Sequence, residues 1–472
     1  MISLGPLISA FIIGFLILSC ILKNSAVPHR ILLTLILAAP VGLGVCSLAL
    51  FWAYCAAAAQ AKWLSIIFVY LIGISALLYF FSSDGKATVK QRPRQTKLPI
   101  TRLLLTAASF ILFCFIAYRF IRFFVSISCW DTYGGWDARF IWNLKAKFFF
   151  RSPAEWAGMF RNELYFSHPD YPLLLPGAVA WGWNWVGKEI LIWPMLVAFI
   201  FAGSLVLFIF WHLLAYTNPW NALLACSYFL AMGAYLFWSY TQYADIPLCF
   251  YFTASVAVLL SAARLRETPL FFLSGLLAGL AAWTKNEGLL FLVWMTLILS
   301  LVLLGKNTTR QGKKNAGIAF AAGTGIPLLN VLCLKTFFSN AGDYLGSGRT
   351  LPEYISLIFG DPGKTRVIWD AFQTHMAYLN DWAGLWVLFF CAILIGVSIR
   401  RKKIMENRGW VLALAAMCIE FGYFVVIHTS PGEVHWQIET ALTRLLLHAG
   451  ALAVLFSFEI FSSFWPETEP RP

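Results

Sequence analysis

The stretch IPLCFYFTASVAVLLSAA, residues 246–263, runs for 18 positions without a charged side chain. Because a helix needs about 20 apolar residues to cross a hydrocarbon core of roughly 30 Å, such a run is typical of a transmembrane helix. The whole chain of 472 residues shares this character, since 60% of its residues are hydrophobic and only 12% are charged. The composition predicts an all-α polytopic membrane protein and excludes soluble domains, disordered tails and nucleic-acid-binding modules.

Similar apolar runs recur along the chain, and we predict about 13 transmembrane helices from them. The runs lie at about 2–22, 31–53, 63–82, 103–124, 190–215, 220–240, 246–263, 270–283, 288–305, 316–338, 383–399, 410–428 and 441–462. Residues 173–187 form a further apolar segment. Its three closely spaced tryptophans, Trp181, Trp183 and Trp185, favour a position along the membrane surface, where tryptophan belts occur.

The basic residues indicate the orientation of these helices. Of the 35 lysines and arginines, 20 lie in alternate connections, namely 23–30, 84–102, 264–266, 306–314, 400–408 and the C-terminal tail. Cytoplasmic loops carry such an excess, so we place these segments in the cytoplasm. The net charge of +13 then reflects orientation and needs no anionic partner. Two long loops, 125–189 and 340–382, face outside.

The first outer loop carries the strongest chemical signals. In CWDTYGGWDARFIWNLKAKFFF, residues 129–150, a Gly-Gly turn precedes Asp137, and an aromatic and basic amphipathic stretch follows it. Such a stretch is predicted to lie along the membrane surface. Asp131 and Arg139 flank Asp137. Further on, the prolines of Ser167-His168-Pro169-Asp170-Tyr171-Pro172 fix the backbone and hold His168 at a defined height.

Other outer connections add charged residues at the same depth. Asp245 opens the span at 246–263, and the hairpin at 283–288 presents Lys285 and Glu287. The segment 433–444 presents His435 and leads to Arg444 about one turn inside the last span. Five separate segments thus bring carboxylates, a histidine and cations to one depth, and this pattern predicts a functional site. The simple alternatives are a solvated turn residue for Asp137 and basic side chains that extend to the interface for the cations.

These features resemble the GT-C superfamily of polytopic glycosyltransferases, in particular bacterial relatives of the protein O-mannosyltransferases and of the lipid A aminoarabinose transferase. Gly135-Trp136-Asp137-Ala138-Arg139-Phe140 matches the position of the acidic catalytic mark in the family's first large outer loop. The passage from His168 to Leu173 is similar to the family's His-Pro-Pro-Leu passage. Asp245 is similar to the family's aspartate at the head of a following span, and Lys285 to its lysine at an outer hairpin.

The resemblance implies three parts: N-terminal transmembrane helices at 1–102, a GT-C-like catalytic core at 103–305, and C-terminal transmembrane helices at 306–472. It also implies a bacterial cytoplasmic membrane with the active site facing outside. The family's usual Asp-Glu or Asp-Asp pair is Asp137-Ala138 here. The role of a divalent cation therefore stays open, and no His or Cys spacing in the chain predicts a metal site.

The implied reaction transfers a sugar from a polyprenyl-phosphate donor in the membrane lipid to a hydroxyl of a glycan, lipid or protein acceptor. An inverting displacement needs one carboxylate to take the acceptor's proton, and Asp137 is the candidate. Cations stabilise the departing phosphate. The candidates for binding the donor's phosphate and sugar are Lys285, Arg444, His168, Arg139, Asp245 and Glu287, with Asp131 and His435 as secondary candidates.

Two other functions remain open at this stage. A flippase or transporter of lipid-linked saccharides would need a polar path through the membrane, yet the spans are uniformly apolar and Glu420 is their clearest ionisable residue. A membrane transferase of another group would use His168 or His435 as its base. That function predicts a histidine-dependent pH profile.

Overall fold

Each apolar run of the sequence falls on one helix, except the run at 220–240, which falls on two. We analysed a computed structural model, which describes residues 4–82, 100–305, 309–339, 350–430 and 432–464; these residues contain no β-strand. The α-helices, in chain order, are α1 Gly5–Ile21, α2 Arg30–Ala57, α3 Ala61–Ser82, α4 Ile100–Trp130, α5 Asn143–Arg151, α6 Leu174–Val186, α7 Ile192–Tyr216, α8 Pro219–Ala231, α9 Gly233–Tyr240, α10 Asp245–Leu265, α11 Thr268–Thr284, α12 Glu287–Leu304, α13 Arg310–Phe337, α14 Leu351–Phe359, α15 Pro362–Ala377, α16 Leu379–Trp382, α17 Leu385–Ser398, α18 Arg401–Glu406, α19 Trp410–Thr429 and α20 Val434–Ser462.

The described residues contain 8 helical stretches that are long and apolar enough to cross a membrane. A ninth results if α8 and α9, which are bent by 68° relative to each other, form one span. One of the stretches, Arg30–Ser82, comprises both α2 and α3, which pack against each other, and α1, α11 and α17 are shorter apolar helices. The polytopic membrane fold is therefore confirmed, whereas the number of 13 crossings and their orientation stay predictions.

Helix α10 is the central helix of the bundle. Its membrane-span window is entirely buried, and α10 packs against α7, α11 and α20. At one end Asp245 contacts His448 of α20, and at the other end Arg264 contacts Glu459 of α20. The two helices thus run in the same direction. At a rise of about 1.5 Å per residue, Asp245 and Arg264 lie about 28 Å apart.

Small residues allow α11 and α13 to pack closely. A Cβ atom on Gly275 would lie 2.1 Å from the carbonyl oxygen of Phe320, and one on Gly323 would lie 2.1 Å from that of Phe272. Glycines at such contacts let two helix backbones approach each other in a membrane. Because of this packing, Lys335 in the last turn of α13 lies beside the connection between α11 and α12.

The segment 173–187 is a buried helix. It forms α6, which packs against α1, α2, α5 and α7, and the side chains of Trp181 and Trp183 are only 1% and 2% exposed. Trp181 Nε1 donates a hydrogen bond to the carbonyl oxygen of Pro6 in α1. Neighbouring helices bury both rings, so Trp181 and Trp183 do not form an exposed belt, whereas the position of this segment along the membrane surface stays a prediction.

Several predicted segments fall partly outside the described residues. They are the cytoplasmic segments 84–102 and 306–314, the second outer loop 340–382 and the C-terminal tail, of which residues 84–99, 306–308, 340–349 and 465–472 are not described. The described remainder of the second outer loop forms the short helices α14, α15 and α16.

Candidate functional site

A buried carboxylate at the start of α10 is the centre of a polar cluster. Asp245 is fully buried, and its Oδ1 lies 3.1 Å from Lys285 Nζ and 3.1 Å from His448 Nε2. Its Oδ2 lies 3.9 Å from Arg444 Nη1. His448 Nδ1 is in turn 2.6 Å from the hydroxyl of Tyr423. We name this group the Asp245 cluster; its members are Asp137, Asp245, Lys285, Glu287, Arg444 and His448.

Arg444 joins the first outer loop to this cluster. Its Nη1 donates to Asp137 Oδ2 at 2.5 Å, and the Arg444 and Asp137 side chains are 16% and 15% exposed. The guanidinium carbon lies 5.9 Å and 5.7 Å from the ring centres of Trp238 and Tyr243, within the range of cation–π attraction. These aromatic faces and the two carboxylates fix the position of the guanidinium group.

The two glycines before Asp137 explain its position. Gly134 adopts a φ of +70°, in the left-handed region that favours glycine, and a Cβ atom there would lie 2.6 Å from the carbonyl oxygen of Thr241. The amide of Gly135 donates to that same oxygen at 3.1 Å. The loop after α4 is thereby held against the connection between α9 and α10. A π-helical turn, Ala138–Trp142, follows Asp137 directly.

The connection between α11 and α12 places two oppositely charged groups together. Lys285 Nζ lies 2.6 Å from Glu287 Oε1 in addition to its contact with Asp245, and the Lys285 side chain is only 4% exposed. Burial acts to lower the pKa of Lys285, but the carboxylates of Asp245 and Glu287 outweigh burial and raise that pKa. Lys285 is therefore a charged group shared by two carboxylates.

A second polar group lies next to the first along this connection. Asp170 Oδ2 lies 3.1 Å from Lys335 Nζ and accepts a hydrogen bond from the side-chain amide of Asn286. Asp170 is 3% exposed, whereas the Lys335 side chain is 29% exposed. Asn286 stands between Lys285 and Glu287 in the chain, so this group is continuous with the Asp245 cluster. We name Asp170, Asn286 and Lys335 the Asp170 group.

The passage around His168 is held by a buried lysine. Lys145 of α5 is fully buried and donates to the carbonyl oxygens of His168 and Tyr171 at 2.6 Å and 3.4 Å. The His168 ring stacks on the Tyr171 ring with 4.5 Å between centres, and Tyr171 stacks on Trp142. Burial lowers the pKa of Lys145 to about 7 and also lowers the pKa of His168. His168 is thus a largely buried ring at the edge of the site.

Several buried polar atoms of these two groups have no hydrogen-bond partner among the described residues. They are Asp170 Oδ1, Asp245 Oδ2, Asn286 Oδ1, Glu287 Oε2 and Arg444 Nε. Buried polar groups are ordinarily paired, because an unpaired one costs about 1–3 kcal/mol. These five atoms lie on residues that are connected by the contacts described above, so they are candidates to bond a partner that the protein itself does not supply.

Three of the predicted residues lie apart from the cluster. Arg139 pairs with Asp131 at 2.5 Å on a more exposed surface, where the Arg139 side chain is 47% exposed, and its Nε donates to the carbonyl oxygen of Gly134. His435 is exposed in the first turn of α20 and has no hydrogen bond or ion pair within the described part of the chain. The structure brings Asp137, Asp245, Lys285, Glu287 and Arg444 together, with His168 at the edge.

Sequence reasoning did not select Asp170, Asn286, Lys335 or His448. A signal existed for His448, because it follows Arg444 by four residues and therefore lies on the same face of α20. Asp170 belonged to a passage already singled out for its prolines. Asn286 gave no distinct signal. Lys335 gave none either, since a lysine at a helix end is commonly an interfacial residue. Their grouping depends on how α13 packs against α11.

The described residues contain no group of three or more His, Cys, Asp or Glu side chains that could hold a metal ion. Comparisons of the chain with protein-family models, with curated proteins and with solved structures find no match.

Proposed function

We propose that this chain is an inverting glycosyltransferase that moves a sugar from a polyprenyl-phosphate donor to a hydroxyl acceptor on the extracytoplasmic side of a membrane. The observation that carries the proposal is the contact of Arg444 with both Asp137 and Asp245. It joins the loop after α4 to the start of α10 through a side chain of α20. In the predicted topology this site lies on the extracytoplasmic side, where a lipid donor and an acceptor in solution meet.

Asp137 is the proposed base. Only its Oδ2 is bonded to Arg444, and its Oδ1 accepts no hydrogen bond from the described residues. As the acceptor oxygen attacks the anomeric carbon, Asp137 takes the acceptor's proton and the bond from that carbon to the phosphate oxygen breaks. The phosphate leaves with the electron pair. One carboxylate suffices for this displacement, and it contributes about 10²–10⁴-fold to the rate.

The cations at the site support the departure of the phosphate. Arg444 retains an unpaired Nε, and Lys335 is the most exposed cation of the two groups at 29%. Lys285 is held by two carboxylates, so its part in the proposal is to fix Asp245 and, through it, Arg444. Positive charges fixed in a site that excludes water stabilise a developing phosphate anion more than mobile solvent does.

The test compares two aspartates of the same loop. In proteoliposomes made with lipids of the source cells, which supply donor and acceptor, Asp137→Asn is expected to lower sugar transfer by about 10²-fold or more. The matched control Asp131→Asn is expected to stay within about threefold of wild type, because Asp131 pairs with Arg139 on a more exposed surface.

Mass spectrometry of copurifying lipids completes the test. The stalled Asp137→Asn protein should retain a polyprenyl-phosphate sugar. If transfer continues at the wild-type rate in Asp137→Asn, Asp137 is not the base. If neither protein binds a polyprenyl-phosphate lipid, the proposed donor is wrong.

A further inference from the structure

The Asp170 group contains polar atoms for which the proposed transfer has no use. Asp170 Oδ1 and Asn286 Oδ1 are both buried and accept no hydrogen bond from the described residues. Glu287 Oε2, one residue along the chain from Asn286, is in the same state. These atoms are three acceptors without donors, in a region where the protein has already placed its cations against other oxygens.

The orientation of the Asn286 side chain follows from its contact with Asp170. The Asp170 carboxylate is an acceptor only, so the amide nitrogen of Asn286 must face Asp170 Oδ2. The amide oxygen is therefore the atom that lacks a partner. Asp170 is only 3% exposed. Of its two carboxylate oxygens only Oδ2 is paired, and it bonds both Asn286 and Lys335.

Few kinds of ligand fit these unpaired oxygen atoms. An anion is disfavoured because the unpaired atoms are oxygens, and a metal ion is disfavoured because Lys285 and Lys335 lie against the same carboxylates. The negative charge of Asp170 is already matched by the positive charge of Lys335. The unpaired oxygens therefore need neutral hydrogen-bond donors that lie close together. Adjacent hydroxyl groups on a sugar ring present such donors.

We infer that Asp170 and Asn286 form a subsite for adjacent hydroxyl groups of the transferred sugar, an inference that rests on the proposed function. The position is consistent with the chemistry of a polyprenyl-phosphate sugar, in which the ring is bonded directly to the phosphate. Asn286 follows Lys285 in the chain and bonds the same carboxylate as Lys335. A ring held by the Asp170 group therefore has the cations of the site next to its phosphate.

The experiment measures how much the sugar adds to lipid binding. The purified protein is titrated with undecaprenyl phosphate and with undecaprenyl phosphate that carries a hexose, an N-acetylhexosamine or a pentose. The sugar preference is the ratio of the Kd for the bare lipid to the lowest Kd among the glycosylated lipids. For wild type we expect a preference of about tenfold or more, since a site built to bond hydroxyl groups rejects ligands without them.

Two variants and one control isolate the subsite. Asn286→Ala and Asp170→Asn should each bring the preference to within about twofold of unity and change the Kd for the bare lipid by less than about threefold. Asn330→Ala is the control, because Asn330 of α13 is also buried with an unpaired Oδ1 but bonds only within its own helix. It should keep the wild-type preference.

Each outcome decides between the proposals. A preference that survives in both Asn286→Ala and Asp170→Asn overturns the subsite and leaves the proposed function intact, as does a wild-type protein that binds bare and glycosylated lipids equally. Loss of the preference in Asn330→Ala overturns the subsite too, because the effect is then one of general packing. A wild-type protein that binds none of these lipids overturns both proposals. If one variant does not fold, the other still gives the result.

Discussion

The two ends of α10 carry two ion clusters that differ in how fully their polar atoms are paired. At the Arg264 end, Glu459 accepts from His212 at 2.6 Å and from two nitrogens of Arg264 at 3.2 Å and 2.9 Å. The third nitrogen of Arg264 donates to the carbonyl oxygen of Asn407, and its guanidinium lies over the ring of Tyr216. We name His212, Arg264 and Glu459 the Glu459 cluster.

The difference indicates different roles for the two clusters. In the Glu459 cluster only His212 Nδ1 lacks a partner within the described residues, whereas five buried atoms of the Asp245 cluster and the Asp170 group lack one. A buried ion pair that is complete resists change, because removal of one partner leaves the other charged and unpaired. Incomplete pairing leaves bonds for a ligand to form. Burial of charge alone does not distinguish the two clusters.

The largest expected effect is at the Glu459 cluster. Glu459→Ala would leave Arg264 and His212 without their shared carboxylate and should lower the free energy of unfolding by about 3–5 kcal/mol. Thermal unfolding in detergent measures the change. Glu406→Ala is the control, because Glu406 pairs with Lys402 at 4.0 Å on an exposed surface and such pairs contribute about 0–1 kcal/mol. Equal destabilisation by the two variants would contradict the role assigned to this cluster.

A smaller effect per pH unit is expected at the other end of the molecule. The pKa of Lys145 is lowered by burial from 10.5 to about 7, so between those pH values the folded protein binds fewer protons than the unfolded protein. Stability should therefore rise with pH across this window, with a slope approaching about 1.4 kcal/mol per pH unit, and be lowest below pH 7, where both states are protonated. A neutral amine still has two donors for the carbonyl oxygens of His168 and Tyr171.

The measurement is the unfolding temperature of wild type and Lys145→Met between pH 7 and pH 9.5 in the same detergent. The variant should show a flatter dependence on pH. Lys147→Met, two residues along α5 at a less buried position, should keep the wild-type slope. Identical slopes in wild type and Lys145→Met would show that Lys145 is not the titrating group.

The smallest effects come from the removal of one tyrosine hydroxyl beside each cluster. Tyr423→Phe removes the partner of buried His448 Nδ1 and should destabilise the protein by about 1–3 kcal/mol. Tyr216→Phe removes a donor to Ser261, whose hydroxyl still bonds the carbonyl oxygen of Ala257, so the expected loss is about 0.5–1 kcal/mol. Unfolding of both variants under one condition checks the order. A larger loss in Tyr216→Phe would reverse the comparison.

The helical membrane fold and part of the site were predictable from local patterns. Asp245 and Lys285 each stand at the edge of an apolar run, Arg444 lies about one turn inside the last run, and Asp137 lies in the loop after α4. The predicted topology brings all four to one depth. Depth, however, does not determine which residues touch. Arg139 was expected near the phosphate, yet it pairs with Asp131, because the glycine turn holds the backbone against Thr241 and Arg139 points to the exposed side. His435 was expected at the same depth but is exposed and lies outside the Asp245 cluster.

The sequence by itself determined the class of protein, the positions of the helices and the charged residues available at their ends, because the cost of placing polar groups in hydrocarbon acts on each segment separately. Only the tertiary structure decided which charges meet. The close packing of α11 and α13 brings Lys335 to Asp170, and the parallel course of α10 and α20 brings Arg444 and His448 to Asp245. Such contacts depend on the rotation and separation of neighbouring helices, which no single segment encodes.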